Sequence, residues 1–194
     1  MTYSVRRAVE DDSTSLAVVE MLTAPEFASF LLEGLFGESS VGAILSWRYR
    51  QGGADSTDWS WVAEEDGSVI GAMGAYPVSL SRLEWGTDEG EAKERNDHFV
   101  CLQALMRDDA FHISRLGVLA QARRRGVAQT LIKEAEAATR EAGLSLLTLI
   151  VWADNEPALA LYRGLGFTER DSAEIAAHPR LTRHGKMLLL GKDL

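Results

Sequence analysis

The stretch FHISRLGVLAQARRRGVAQTLIKEAEAATREAGLSLLTLIVW, residues 111–152, decides how this chain folds. It opens on Phe111–Val118, which reads as a strand. Three consecutive arginines and Gly126 then lead into Val127–Ala142. There Val127, Leu131, Ile132, Ala135, Ala138 and Ala142 fall on one stripe at helical spacing. Glu136 and Arg140 stand four apart on the opposite face, in the order that favours a helix, and Gly143 sits where a C-terminal cap belongs. Leu144–Trp152 follows as a nearly continuous apolar run, the pattern of a buried strand. Strand, helix and strand in that order predict a mixed α/β domain.

The flanks extend this unit. Downstream, Ala158–Leu165 reads as a short helix: Pro157 suits its first turn, Asn155 or Glu156 its cap, and Gly166 its end. Phe167–Asp171 and Met187–Leu190 read as closing strands. Upstream, Tyr3–Val9 alternates like an edge strand, and Asp11-Asp12-Ser13 opens a helical region from Ser13 to Phe36 that Pro25 splits in two. Ala43–Tyr49 is ambiguous, a short helix being one reading. Trp59–Glu64 and Ser68–Val78 form a hairpin around Glu65-Asp66-Gly67. Phe99–Leu105 reads as a further strand, and the acidic, glycine-containing Glu84–Asp97 as an exposed excursion.

With 194 residues, 46% hydrophobic and 25% charged, the chain has the size and composition of one globular domain. No apolar run approaches the roughly 20 residues that span a bilayer. The opening residues lack the apolar core of a signal peptide. Cys101 is the only cysteine, so no intrachain disulfide forms. These features together lead us to expect a cytoplasmic protein with no membrane partner. Net charge −9 argues against general nucleic-acid binding, which needs a basic face; it is compatible with a cationic substrate such as an amine, the plainer reading being solubility.

Against that acidic background, Arg123-Arg124-Arg125 needs a reason. Adjacent guanidinium groups repel, and packing does not call for them; an anion does. The first turn of a helix presents unpaired amides and a partial positive charge, where phosphate binds readily. Gly126 and Ala128 leave room for a diphosphate to approach, and the arginines add bidentate donors. A solvated arginine cluster is the bland alternative. The Gly-Lys-Ser/Thr ending of a P-loop is absent.

Arg123-Arg124-Arg125-Gly126-Val127-Ala128 resembles the Arg/Gln-x-x-Gly-x-Gly/Ala signature of the GNAT superfamily of acyl-CoA-dependent N-acyltransferases. Leu116-Gly117-Val118 resembles the strand before it. Asn155 through Phe167 resembles that superfamily's Asn-x-x-Ala-x-x-Leu-Tyr-x-x-x-Gly-Phe motif. Two motifs in the right order, separated by a helix and a buried strand, make the resemblance specific over Phe111–Phe167. Ala128 stands where a second glycine is commoner, and 77–110 is longer than the usual connection.

The resemblance implies a mixed, mostly antiparallel, twisted sheet flanked by helices, whose fourth and fifth strands splay. It implies acetyl-CoA as cosubstrate, held by the backbone of Leu116, Gly117 and Val118 along its pantetheine arm. The amides of Arg123, Arg124, Arg125, Gly126, Val127, Ala128 and Gln129 would surround the pyrophosphate, with one arginine on the 3′-phosphate. Val118 N–H would be the oxyanion donor, Asn155 and Ala158 would contact the cofactor arm, and Tyr162 would protonate the departing thiolate.

The implied reaction is direct acetyl transfer to a primary amine, with a different acyl-CoA donor or a binding module without turnover as alternatives. His112 and Ser114 share strand parity with Leu116, so His112 is a candidate base for the acceptor amine. Its alternative is a histidine bonded within the fold. Glu64, Glu65 and Asp109 are further candidates. His178 and His184 lack metal-ligand spacing, so no metal is expected, and Cys101 reads as a small buried hydrophobe. Homodimers are frequent in that superfamily, but nothing in the sequence specifies an interface.

Overall fold

Residues 3–9 become β1 (Ser4–Arg7), and a turn through Glu10–Asp12 leads into α1 (Ser13–Thr23). Asp12 starts the helical region because its carboxylate accepts the Val9 amide at 2.8 Å and Arg6 at 2.6 Å. The computed structural model describes residues 2–23, 25–81 and 90–194. Pro25 begins α2 (Pro25–Leu32), and Ser40 caps α3 (Val41–Tyr49) by accepting the Ala43 amide at 3.3 Å. The hairpin joins β2 (Ser60–Glu65) to β3 (Ser68–Pro77) through Asp66 and Gly67, both at positive φ (50° and 75°), as a tight turn of twisted strands requires.

α4 (Val78–Ser81), α5 (Gly90–Asp97) and α6 (Val100–Leu105) follow. The strand expected at Phe99–Leu105 is therefore a helix. Its six apolar-leaning residues suit either state, and the Leu102 amide bonds back to the Phe99 carbonyl at 2.9 Å. Leu105 is buried while Val100 is exposed, so one side of the turn packs. Of the expected excursion Glu84–Asp97, residues 84–89 lie outside the described residues and the remainder is α5. Within α5, Arg95 is buried and donates to the Phe30 and Glu33 carbonyls at 3.0 and 2.7 Å, closing the C-terminus of α2.

β4 (Ala110–Val118), α7 (Val127–Glu141), β5 (Leu146–Trp152), α8 (Glu156–Gly164), β6 (Thr168–Ile175) and β7 (Gly185–Asp193) complete the chain. The sheet order is β1-β2-β3-β4-β5-β7-β6. Only β4 and β5 run parallel, because α7 carries the chain across between them. α7 and α8 cover one face, packing Leu131, Ile132 and Leu159 on Phe111, Leu147 and Leu149. α1 and α3 cover part of the other, with Leu16, Val19 and Ile44 on Val62 and Ala72. Beside them Phe30, Phe99, Trp152, Ile175 and Met187 form a separate aromatic-rich cluster.

Two irregularities of β4 shape everything that follows. Gly74 of β3 pairs with Arg115 but Ala75 pairs with Ile113, so Ser114 is an extra residue and β4 carries a bulge there. The ladder between β4 and β5 runs only from Ala110–Leu146 to Ile113–Leu149. Beyond it the two strands part.

Candidate active site

Ser114 is solvent-exposed although it lies in the central strand of a sheet covered by helices on both faces. It marks the floor of the gap where β4 leaves β5. From Ser114 to Val118 the β5-facing edge of β4 has no strand partner, which leaves its backbone groups, apart from the Val118 carbonyl that accepts Arg123, open to an extended ligand. Gly117 lies in this stretch, and a Cβ there would stand 2.7 Å from side-chain atoms of Val19 and Thr23. Only glycine lets α1 come that close to the strand.

The arginine loop lies at the mouth of this gap. Arg124 holds φ 59° and Gly126 φ 83°. The first bond of α7 runs from the Thr130 amide to the Gly126 carbonyl (2.9 Å), so the amides of Val127, Ala128 and Gln129 have no acceptor within the helix. This is the geometry of an anion-binding nest. The three arginines divide their tasks. Arg125 forms a two-pronged pair with Glu65, one bond being 3.0 Å. Arg123 donates from Nε to the Val118 carbonyl at 3.1 Å. Arg124 is exposed and has no ion pair among the described residues. A side chain held in the left-handed region costs energy that glycine does not pay. Arg124→Gly is therefore expected to raise unfolding stability by roughly 0.5–1 kcal/mol in urea titration.

Asn155 caps α8, its side-chain oxygen accepting the Ala158 amide at 3.4 Å. Tyr162, two turns beyond Asn155, is buried against Phe167, with ring centroids 5.8 Å apart. Its hydroxyl makes no hydrogen bond among the described residues. Burial pushes its pKa up to about 12, so the group enters any chemistry at neutral pH as a protonated donor.

His112 does not face the way its sequence position suggests. The bulge at Ser114 adds one residue and exchanges the faces of the strand. Phe111 and Ile113 therefore share the α7 side with Leu116 and Val118, while Arg115 and Gly117 meet α1 and α3 on the other. His112 also lies on that other side, 3% exposed, with Nδ1 3.0 Å from the Thr148 hydroxyl. The parity linking it to Leu116 is thus corrected. Burial pushes its pKa down to about 4.

The unfolded chain therefore binds a proton near pH 6.5 that the folded state refuses until about pH 4. Stability from this group is present above pH 6.5 and is lost as pH falls toward 4, by roughly 3 kcal/mol at most. Urea unfolding at pH 7 and pH 4.5 should show this loss in the parent and a flatter response in His112→Gln.

The carboxylates considered as bases are engaged elsewhere. Glu64 pairs with Arg6 at 2.7 Å, Glu65 with Arg125, and Asp109 with Arg107 at 2.8 Å. One group near the gap escaped sequence reasoning altogether. Arg115, directly after the bulge, pairs with Asp55 at 2.6 Å, stands 3.9 Å from Glu20 and lies over the Tyr49 ring at 4.7 Å. Its neighbours hold it charged despite its burial. Opposite it, a Cβ on Gly74 would fall 2.6 Å from the guanidinium carbon. The sequence carried no signal linking these residues, which come from four separate segments.

Among the described residues no group of three or more His, Cys, Asp or Glu could hold a metal ion. No single described helix is long and apolar enough to cross a membrane.

Residues 39–167 match the acetyltransferase (GNAT) family. No match is found among curated proteins. Among solved structures, the chain is similar to an N-acetyltransferase from Staphylococcus aureus Mu50, at TM-score 0.71 and 19% identity, over 97% of this chain and 100% of that one. It is similar to the PaiA N-acetyltransferase of Thermoplasma acidophilum in complex with coenzyme A, at TM-score 0.56 and 14% identity over the whole of both chains. A polyamine N-acetyltransferase of Drosophila melanogaster gives TM-score 0.64 at 14% identity, again over both whole chains.

Proposed function

Because the chain belongs to the acetyltransferase (GNAT) family, we propose that it moves an acetyl group from acetyl-CoA to a primary amine by direct attack in a ternary complex. The observation that carries this reading is the junction of two features. An unpartnered edge of β4 begins at exposed Ser114, and the unpaired amides of Val127, Ala128 and Gln129, preceded by the positive-φ turn at Arg124 and Gly126, lie at its outer end. Together they offer an extended, amide-bearing ligand a strand to pair with and its phosphates a place to end.

In this reading Leu116, Gly117 and Val118 bind the pantetheine arm through backbone groups, and Val118 N–H stabilises charge developing on the thioester oxygen. Arg123 is already bonded to the Val118 carbonyl and ties the loop to that strand. Arg125 is held by Glu65, which leaves Arg124 as the arginine for the 3′-phosphate. Asn155 and Ala158 border the arm while Asn155 caps α8. The amine nitrogen forms a bond to the thioester carbon as the carbon–sulfur bond breaks. Tyr162 gives its phenolic proton to the leaving sulfur and regains one from the nitrogen through water. His112 is assigned a structural role, and the ammonium proton passes to solvent in the open cleft at Ser114.

Calorimetric titration with acetyl-CoA and with dephospho-CoA tests the reading. Saturable binding is expected, weakened about tenfold when the 3′-phosphate is absent. The same weakening is expected for acetyl-CoA on Arg124→Ala. No binding of either compound would remove the acyltransferase reading.

A further inference from the structure

On the margin of the gap opposite Ser114, β5 ends in Trp152, three residues beyond the last β4–β5 pair. Trp152 is 6% exposed, and its Nε1–H has no partner among the described residues. Only three buried side-chain polar atoms among the described residues share that condition. The other two, Arg95 Nε and Arg115 Nε, belong to guanidinium groups already bonded through their remaining nitrogens. Trp152 has a single polar atom, which can only donate, so its hydrogen-bonding capacity is wholly unused. A buried donor is normally paired.

The surroundings say what kind of molecule would supply the oxygen. Phe27 stacks on the indole (5.7 Å, 25°), and Phe99 packs on Phe27 at 5.1 Å. Half-buried Phe27, Leu31, Leu102 and Ile150 continue this wall. Arg183 lies 4.7 Å over the ring and is itself paired with Asp154. The cation–π position on Trp152 is therefore occupied by the protein itself. An extended polyamine carries no acceptor oxygen for the indole donor and would find the ring face already covered by Arg183. An apolar body carrying a carbonyl oxygen would satisfy both the wall and the orphan donor.

Resting on the acyltransferase reading above, we propose that the acceptor is an α-amino amide with an apolar side chain, and that Trp152 Nε1–H recognises its carbonyl oxygen. Trp152 is thus a specificity-determining residue of the cleft, reaching the acceptor beside the nitrogen that is acetylated. The α-amino amide is either a free molecule or the N-terminal residue of a peptide, since both present the same atoms.

The test is acetyl-CoA-dependent thiol release with four amines: phenylalanine amide, a Phe-Ala-Ala peptide, phenethylamine and spermidine. Phenethylamine keeps the apolar body and lacks the carbonyl. The parent protein is expected to favour the carbonyl-bearing amines over phenethylamine by at least about tenfold in kcat/KM, with spermidine lowest. Trp152→Phe keeps an aromatic ring and deletes the donor. Within that variant the carbonyl-bearing amines should lose their advantage, their kcat/KM falling to within about twofold of phenethylamine measured on the same variant.

The faster of amide and peptide identifies the source. Preference for spermidine, an unchanged ratio in Trp152→Phe, or an equal loss on every amine overturns the assignment. Absence of turnover by the parent with all four, while acetyl-CoA still binds, also overturns it and leaves the cofactor site standing. Absence of acetyl-CoA binding removes the parent reading.

Discussion

Replacing Tyr162 by Phe is expected to lower kcat by about 10²–10³ while leaving acetyl-CoA affinity within about twofold. The separation follows from the environment of the hydroxyl. It makes no hydrogen bond among the described residues, so its removal breaks no internal contact, and the ring packing on Phe167 stays. Desolvation at α8 holds the phenol protonated, with a pKa of about 12. The same desolvation makes an unprotonated thiolate costly there, so a nearby donor matters most as the carbon–sulfur bond breaks. Pre-steady-state thiol release beside calorimetric binding gives the two numbers. A variant that binds and turns over like the parent would take Tyr162 out of the mechanism.

The second large effect concerns stability. Arg115→Met is expected to lower unfolding free energy by about 3 kcal/mol in urea titration, because it strips one partner from a buried ionic network. Asp55 would keep Arg48 at 2.7 Å, and Glu20 would keep the Tyr49 hydroxyl at 2.5 Å, so the loss stops short of a wholly uncompensated charge. Gly74→Ala should reproduce much of this effect without touching a charge. The new methyl would need the space of the guanidinium, 2.6 Å away, and would displace Arg115 from Asp55. Since both changes remove one interaction, the double variant should be little worse than either alone. Additive losses would show that Gly74 acts through something other than Arg115.

How much of this was legible beforehand depends on whether a feature belongs to one segment or to two. The 127–141 helix was readable because its apolar stripe repeats within the segment, and the Asp66-Gly67 turn because two positive φ angles call for those residue types. The Asn155 cap lay between two candidates until its bond to the Ala158 amide was in view. The bulge at Ser114 was not readable. Counting parity along β4 assumes one residue per partner residue, and the departure exists only in the pairing with β3. Parity counting therefore puts His112 on the face of Leu116, and the bulge puts it on the other. The arginine run shows the same limit. Three identical residues took three different situations, because Glu65 arrives from a strand sixty residues earlier. Phe99–Leu105 was too short for its period to choose between helix and strand.

The sheet is bound like a book. One leaf is β1 to β4, the other β5, β7 and β6, and the spine between them is the ladder of four residue pairs from Ala110–Leu146 to Ile113–Leu149. Past the spine the leaves share no strand-to-strand hydrogen bond. A guest entering at that margin displaces only side-chain and solvent contacts, and the binding that keeps the two leaves together is left untouched.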